Sequence, residues 1–134
     1  MFNKILFREN ISRYGHEDTI FGIELERQGV SVIHLDNQLI HTGLDSADVF
    51  LEKTRDGLTN LAELLKSYDH PDDLTGHIRL LKQYVKFKKW GLSPLLNLIY
   101  KTSGKRIKRN LTGSKPSMRL LDLYKLCVLN KIQA

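Results

Sequence analysis

The stretch Tyr14-Gly15-His16-Glu17-Asp18-Thr19 decides how the first half of this 134-residue chain is interpreted. A glycine and two adjacent carboxylates stand at the start of an amphipathic segment, which predicts a helix from about Glu17 to Gln28. Gly29 follows at the position where a left-handed C-terminal cap belongs. We therefore expect a loop that delivers an acid pair to the N-terminus of a helix, where a carboxylate is stabilised in its charged form.

The two acids are expected to do different work. Consecutive residues of a helix point about 100° apart, so Glu17 and Asp18 do not face one site as a pair. One carboxylate is expected to cap the helix or order the loop, and the other to face a cleft and accept a proton from a hydroxyl group. Simple N-terminal capping by both acids is the alternative that the residues leave open.

Outward from this stretch, the pattern predicts a hairpin and then helices. Residues 30–35 are rich in β-branched side chains, Asp36-Asn37 is a turn signal, and residues 38–41 form a short second strand. The predicted helices that follow, from their apolar spacing and their Pro and Gly signals, cover about 46–67, 72–90, 93–102 (ended by Gly104) and 117–132. The fold class expected from residues alone is mainly α with a short β-hairpin.

Composition and charge narrow the class further. The chain is 41% hydrophobic and 27% charged, which is ordinary for a globular protein. The single cysteine, Cys127, allows no internal disulfide, and the residues after Met1 lack a leader pattern, so we expect a cytoplasmic protein.

Residues 1–74 hold 7 Lys and Arg against 14 Asp and Glu, whereas residues 75–134 hold 14 against one acid, Asp122. The net charge thus changes from −7 to +13, which predicts an anionic partner for the second half. The alternative is that the two halves attract each other and that the basic face is solvated.

A basic surface is expected in this second half, and six residues are assigned to it. It combines lysines with Trp90 and other aromatic side chains, a combination suited to the headgroup level of an anionic membrane. The assigned residues are Arg79, Lys82, Lys86, Lys89, Lys105 and Arg106. Packing of these helices on a catalytic domain or on a second copy is the alternative. Nucleic-acid binding is disfavoured, because no recognised motif accompanies the charge.

The first half also resembles the C-terminal part of bacterial family 2 glycosyltransferases, over about residues 5–66. The resemblance consists of a glycine-acid-acid turn, a helix, a segment ending in Asp-Asn, a His-x-Gly, and a helix opening with Phe-Leu-x-Lys-Thr. The residues that carry it are Tyr14 to Thr19, Phe21-Gly22, Glu24-Leu25, Gly29, Val32 to Asn37, His41, Gly43-Leu44, Phe50-Leu51 and Lys53-Thr54.

The resemblance implies a fold, a reaction and a set of roles. Residues 1–68 would be the acceptor-side remainder of a Rossmann-like (GT-A type) glycosyltransferase, and residues 69–134 a basic helical extension. Asp18 would be the catalytic base. Glu17, His16 and Tyr14 would contact the acceptor, and His41 would lie near the donor's metal. For His16 a surface loop position, and for His41 a packed structural histidine, remain open.

The chain also departs from that family, because it contains no Asp-x-Asp motif and no series of parallel strands. The complete enzyme would use a nucleotide-sugar, a glycan or lipid-linked acceptor and a divalent metal (Mg or Mn). The isolated chain is expected to bind no metal and to transfer no sugar. It is also expected to self-associate, because apolar surface is left uncovered. The alternative function is a non-catalytic helical module that binds an anionic membrane surface, as a peripheral protein, or a partner chain.

Overall fold

Six helices make up most of residues 15–33, 35–37 and 43–134, the part of the chain that the computed structural model describes. In chain order they are α1 (Glu17–Arg27), α2 (Ala47–Ser67), α3 (Pro71–His77), α4 (Arg79–Lys89), α5 (Ser93–Leu111) and α6 (Met118–Ile132). The prediction of a mainly α fold is confirmed. No described helix combines the length and the apolar character needed to cross a membrane.

Helix α6 lies at the centre of the core and packs against α2, α4 and α5. Its residues 126–130 are all buried, because α6 contacts a helix on several sides. Cys127 is fully buried among them, and burial raises the pKa of its thiol, as expected for an inert core cysteine. Residues 1–68 and 69–134 both contribute to this core. The division into two units at residue 68 stays a prediction.

Helix ends follow the local sequence signals closely in the first half. Gly29, with φ 67°, donates its N–H to Glu26 O at 3.0 Å, and Val30 donates to Leu25 O at 3.0 Å. These two bonds form a Schellman cap, which confirms the predicted end of α1. Ser46 caps α2 by accepting the N–H of Val49 at 3.4 Å.

The predicted β-hairpin is not found in the described residues. Residues 30–33 and 35–37 carry no strand, and Val32, Ile33 and Leu35 are largely exposed. β-branched side chains favour a strand only when a neighbouring strand or a packed face supports it, and the described residues provide no such support here. Residues 34 and 38–42, which include the predicted second strand, lie outside the described residues.

Two helix boundaries in the second half were predicted wrongly. The single helix over 72–90 is divided at Ile78, whose φ and ψ of −100° and 102° are extended. Ile78 stays buried, so the apolar stripe runs through the break and conceals it. Gly104 does not end α5. It is buried inside the helix, and a glycine there costs only about 1 kcal/mol, which the burial of Ile107 and Leu111 beyond it offsets.

Candidate functional site

The turn from Gly15 to Asp18 lines a cleft of about 630 Å³, whose other walls come from α2, α4 and α6. The cleft carries both signs of charge. Its charged lining residues are Glu17, Asp18, Asp45 and Asp122, with Lys53, Arg79 and Lys125. The acid pair is therefore brought together with basic residues from the second half of the chain.

The turn has an unusual backbone that its own side chains stabilise. Gly15 has φ 107° and His16 has φ 73°, so two consecutive residues lie in the left-handed region. For a non-glycine residue such as His16 this conformation is uncommon and costs energy. The Glu17 carboxylate folds back and accepts the Gly15 N–H, at 3.1 Å to Oε1 and 3.0 Å to Oε2. Glu17 is thus engaged in ordering the loop.

Helix α2 fixes the position of this turn. The Asn60 amide, 3% exposed, donates a hydrogen bond from Nδ2 to Gly15 O. A Cβ at residue 15 would lie 3.2 Å from the Cα of Gly57, so a side chain there would press against the α2 backbone. Two glycines and one asparagine therefore allow the turn to approach α2 closely.

Asp18 is held differently from Glu17. It lies in the first turn of α1 and is exposed, and its Oδ1 accepts the N–H of Thr19 at 2.8 Å. Among the described residues, Oδ2 accepts no hydrogen bond. An exposed carboxylate with one oxygen so placed can accept a proton from a hydroxyl in the cleft.

His16 is partly buried beside the two acids. Burial lowers the pKa of its imidazole, Asp18 and Glu17 oppose this effect, and Lys125 adds to it. Because the pKa falls below its ordinary value, the ring is neutral at pH 7. A neutral imidazole between two carboxylates and an ammonium group can both donate and accept a hydrogen bond.

Arg79 lies in the cleft, although the sequence assigned it to a membrane-facing stripe. It is the first residue of α4, whose N-cap, Ile78, makes no side-chain capping bond. Within the described part of the chain, neither Arg79 nor Lys125 forms an ion pair, whereas Lys53 pairs with Asp45 at 2.8 Å. The extended break at Ile78 determines where Arg79 lies, and that break gives no signal in the apolar pattern.

Sequence reasoning also missed other charged residues of the cleft. The sequence analysis assigned no site role to Asp45, Asp122 or Lys125. The last two lie three apart on α6, so they share one face of that helix. Their spacing alone predicted no site, because such pairs are common on solvated helices.

Five of the remaining predicted site residues do not line the cleft. Tyr14 and His41 lie outside the described residues. The other five basic residues assigned to a membrane surface are exposed on α4 and α5, away from the cleft lining: Lys82, Lys86, Lys89, Lys105 and Arg106. In residues 15–33, 35–37 and 43–134 no three potential metal ligands converge. The described residues therefore do not fit a complete metal site.

An apolar groove of about 490 Å³ lies between the first turns of α2 and α6 and the end of α5. Leu44, Phe50 and Met118 line it and are exposed. Exposed apolar surface of this kind favours association. Self-association of the chain stays a prediction.

The cleft can hold a polar ligand between its acids and two cations, Arg79 and Lys125, that form no ion pair within the described residues. Its chemistry suits proton acceptance at Asp18 and attraction of an anionic group toward Arg79 and Lys125. Comparison of the chain with protein-family models, with curated proteins and with solved structures finds no match.

Proposed function

We propose that the first half of this chain is the acceptor side of an inverting family 2-like glycosyltransferase, with Asp18 as the general base. One observation carries the proposal: Asp18 is exposed in the cleft, whereas its neighbour Glu17 is folded back onto Gly15. Simple capping by both acids would not require the close approach of the turn to α2 or the strained backbone at His16. Strain of this kind is concentrated at functional sites.

The proposed reaction is a single displacement. The acceptor hydroxyl donates its proton to Asp18 while its oxygen attacks the anomeric carbon of a nucleotide-sugar. The bond from that carbon to the diphosphate breaks, and the nucleoside diphosphate leaves with the electron pair. A carboxylate in the first turn of α1 suits the role, because Asp18 is exposed there and lines the cleft that would hold the hydroxyl.

Two basic residues in the lining of the cleft suit an anionic substrate group. Arg79 and Lys125 present positive charge, and the N-terminus of α4 carries no side-chain cap. Helix N-termini and arginine side chains are common binding groups for phosphate. A phosphate-bearing donor or acceptor is therefore compatible with these residues, while the hydroxyl lies beside Asp18.

The complete enzyme needs parts that the described residues do not supply. In this proposal a Rossmann-like half binds the nucleotide-sugar and holds a divalent metal (Mg or Mn), and no step above is assigned to that metal. The acceptor is a glycan or a lipid-linked hydroxyl. The proposed location is the cytoplasm, peripheral to the inner face of the membrane, where a lipid-linked acceptor would be presented.

The test is an Asp18→Asn substitution in an enzyme reconstituted with a donor-binding half that bears an Asp-x-Asp motif. Loss of a general base should lower the transfer rate by about 10²–10⁴-fold, while binding of the nucleotide-sugar is unchanged. Asp72→Asn, an exposed acid on α3 outside the cleft lining, is the matched control and should leave transfer intact.

Two results would contradict the proposal. Transfer that survives Asp18→Asn would show that Asp18 is not the base. Measurable turnover of a nucleotide-sugar by residues 1–134 alone would show that no separate donor half is needed.

A further inference from the structure

The junction between α4 and α5 exposes apolar side chains that no described residue covers. We call residues 86–98 the elbow. Trp90, the only tryptophan of the chain, is 61% exposed there, and Leu95 and Leu98 are 46% and 57% exposed. Leu95 and Leu98 are three residues apart on α5, so they lie on one face of that helix.

The elbow holds the indole in place although it is exposed. Gly91, with φ 69°, donates its N–H to Lys88 O at 3.0 Å, and Leu92 donates to Phe87 O at 3.0 Å. These bonds form a Schellman cap and fix Trp90 at the end of α4. The Lys86 ammonium lies 4.7 Å from the indole centroid, a cation–π contact that leaves part of the ring surface open.

Within residues 75–134, the charged side chains beside the elbow are all basic. Lys86, Lys88 and Lys89 are exposed on α4, and Lys101 and Lys105 continue on α5. The single acid of residues 75–134, Asp122, lines the cleft and not the elbow. This basic charge favours an anionic partner for the elbow.

The exposed leucines decide between anionic partners. A nucleic acid would contact the lysines, but Leu95 and Leu98 would gain little from phosphates. A second copy of the elbow would bring lysines against lysines. An anionic bilayer offers a suitable environment to each of these side chains. The lysines would contact the headgroups, the indole would lie at the interface and the leucines would reach the acyl boundary.

We infer that the elbow docks on an anionic lipid bilayer, with Trp90, Leu95 and Leu98 entering the interface and the lysines of α4 and α5 meeting the headgroups. The contact is peripheral. It does not require the glycosyltransferase assignment, because none of these residues lines the cleft.

The single tryptophan makes the test specific to the site. The fluorescence of the full chain is titrated with vesicles of phosphatidylglycerol and phosphatidylcholine, and with vesicles of phosphatidylcholine alone. The anionic vesicles should shift the Trp90 emission to the blue, and brominated acyl chains should quench it. The zwitterionic vesicles should have neither effect.

Matched variants separate the elbow from overall charge. Each lysine near an anionic surface contributes about fivefold in partitioning, so Lys86→Gln with Lys89→Gln should weaken binding about 25-fold at most. Lys115→Gln with Arg119→Gln removes two charges beyond the far end of α5 and should weaken it much less. Leu95→Ser with Leu98→Ser, at exposed positions that folding tolerates, should reduce the brominated-lipid quenching.

Several outcomes would overturn the inference. These are an absence of a blue shift with anionic vesicles, an equal shift with zwitterionic vesicles, and an equal loss of binding in the Lys115/Arg119 control. A shift caused by an oligonucleotide and not by vesicles would assign the elbow to nucleic acid instead. Asp18→Asn should leave vesicle binding unchanged, so this inference and the proposed function can fail separately.

Discussion

The acid turn at residues 15–18 and the elbow at residues 86–98 both present functional groups, but they are built in opposite ways. The turn is fixed by tertiary structure, because Asn60 of α2 donates a hydrogen bond to it and Gly57 of α2 allows its close approach. The Glu17 carboxylate stabilises it further by accepting the Gly15 N–H. The elbow is fixed by local structure, through a Schellman cap and the contact of Lys86 with Trp90. The turn combines both signs of charge in a cleft, and the elbow is basic and open.

The difference shows what kind of ligand each region can take. A cleft whose backbone is strained and braced can hold a reacting atom in a defined position, as catalysis requires. An open surface of lysines and apolar side chains does not fix a ligand in one position. It suits a partner that presents the same chemistry over its whole surface, as a lipid bilayer does. Substitutions should therefore be costly to folding in the turn and nearly neutral at the exposed side chains of the elbow.

Of the two regions, the turn has the larger expected effect of substitution. Gly15→Val places a β-branched residue at φ 107° and its Cβ 3.2 Å from the Cα of Gly57. We expect the free energy of unfolding to fall by about 2–3 kcal/mol, because the strain of a disfavoured backbone adds to the close contact. Urea unfolding followed by far-UV circular dichroism measures this.

Gly22 provides the control for that substitution. It lies inside α1, is exposed, and a Cβ there would meet no atom within 4 Å. Gly22→Ala should stabilise the chain by about 0.5–1 kcal/mol. Equal effects of the two substitutions would show that the turn is not braced against α2.

Substitution of Trp90 in the elbow should destabilise the chain less than Gly15→Val, although tryptophan is the larger side chain. Trp90→Ala removes an exposed ring and a cation–π contact, and should lower the free energy of unfolding by less than about 1 kcal/mol. Leu81→Ala, at a position of α4 with 0% exposure, should lower it by about 2–5 kcal/mol. Urea unfolding followed by circular dichroism measures the free energy of unfolding of both variants. A loss in Trp90→Ala as large as that in Leu81→Ala would mean that the indole is part of the core.

The helical fold could be predicted from the sequence where signals are local. The Gly29 cap, the Ser46 cap and the apolar stripe of α2 all lie within a few residues of the feature they determine. The break at Ile78 and the passage of α5 through Gly104 could not be predicted, because burial against other helices overrides weak local propensities there.

The candidate site was predictable only in part, for the same reason. Glu17, Asp18 and His16 are adjacent in sequence, so one pattern found them together. Arg79 and Lys125 reach the same cleft from α4 and α6 through tertiary packing, which no local spacing records. The basic and aromatic pattern around Trp90 is local and could be seen in the sequence, whereas the position of Arg79 in the cleft could not; contact of that basic surface with a membrane stays a prediction.

The smallest expected effect is on pH dependence, where two histidines should act in opposite directions. His77 joins α3 to α1 through its ring. Nδ1 lies 2.8 Å from Asp73 O and Nε2 lies 2.7 Å from Glu26 Oε2, and these contacts raise the pKa of His77 above its ordinary value of 6.5. A raised pKa means stability that is fully present below about 6.5 and is lost as the pH rises through the folded-state pKa. The site is exposed, so the contribution is below about 1 kcal/mol.

His16 should show the reverse, because burial lowers its pKa. Its contribution is present above about 6.5 and is lost as the pH falls through the folded-state pKa, since the unfolded chain then binds the proton more tightly. His77→Gln and His16→Asn remove each effect, and asparagine tolerates the left-handed backbone of residue 16. Measured by urea unfolding between about pH 5.5 and 8, the stability lost in His77→Gln should shrink with rising pH. The stability lost in His16→Asn should grow with rising pH. Parallel curves for the two variants would mean that His16 is exposed to solvent and is not buried by the turn.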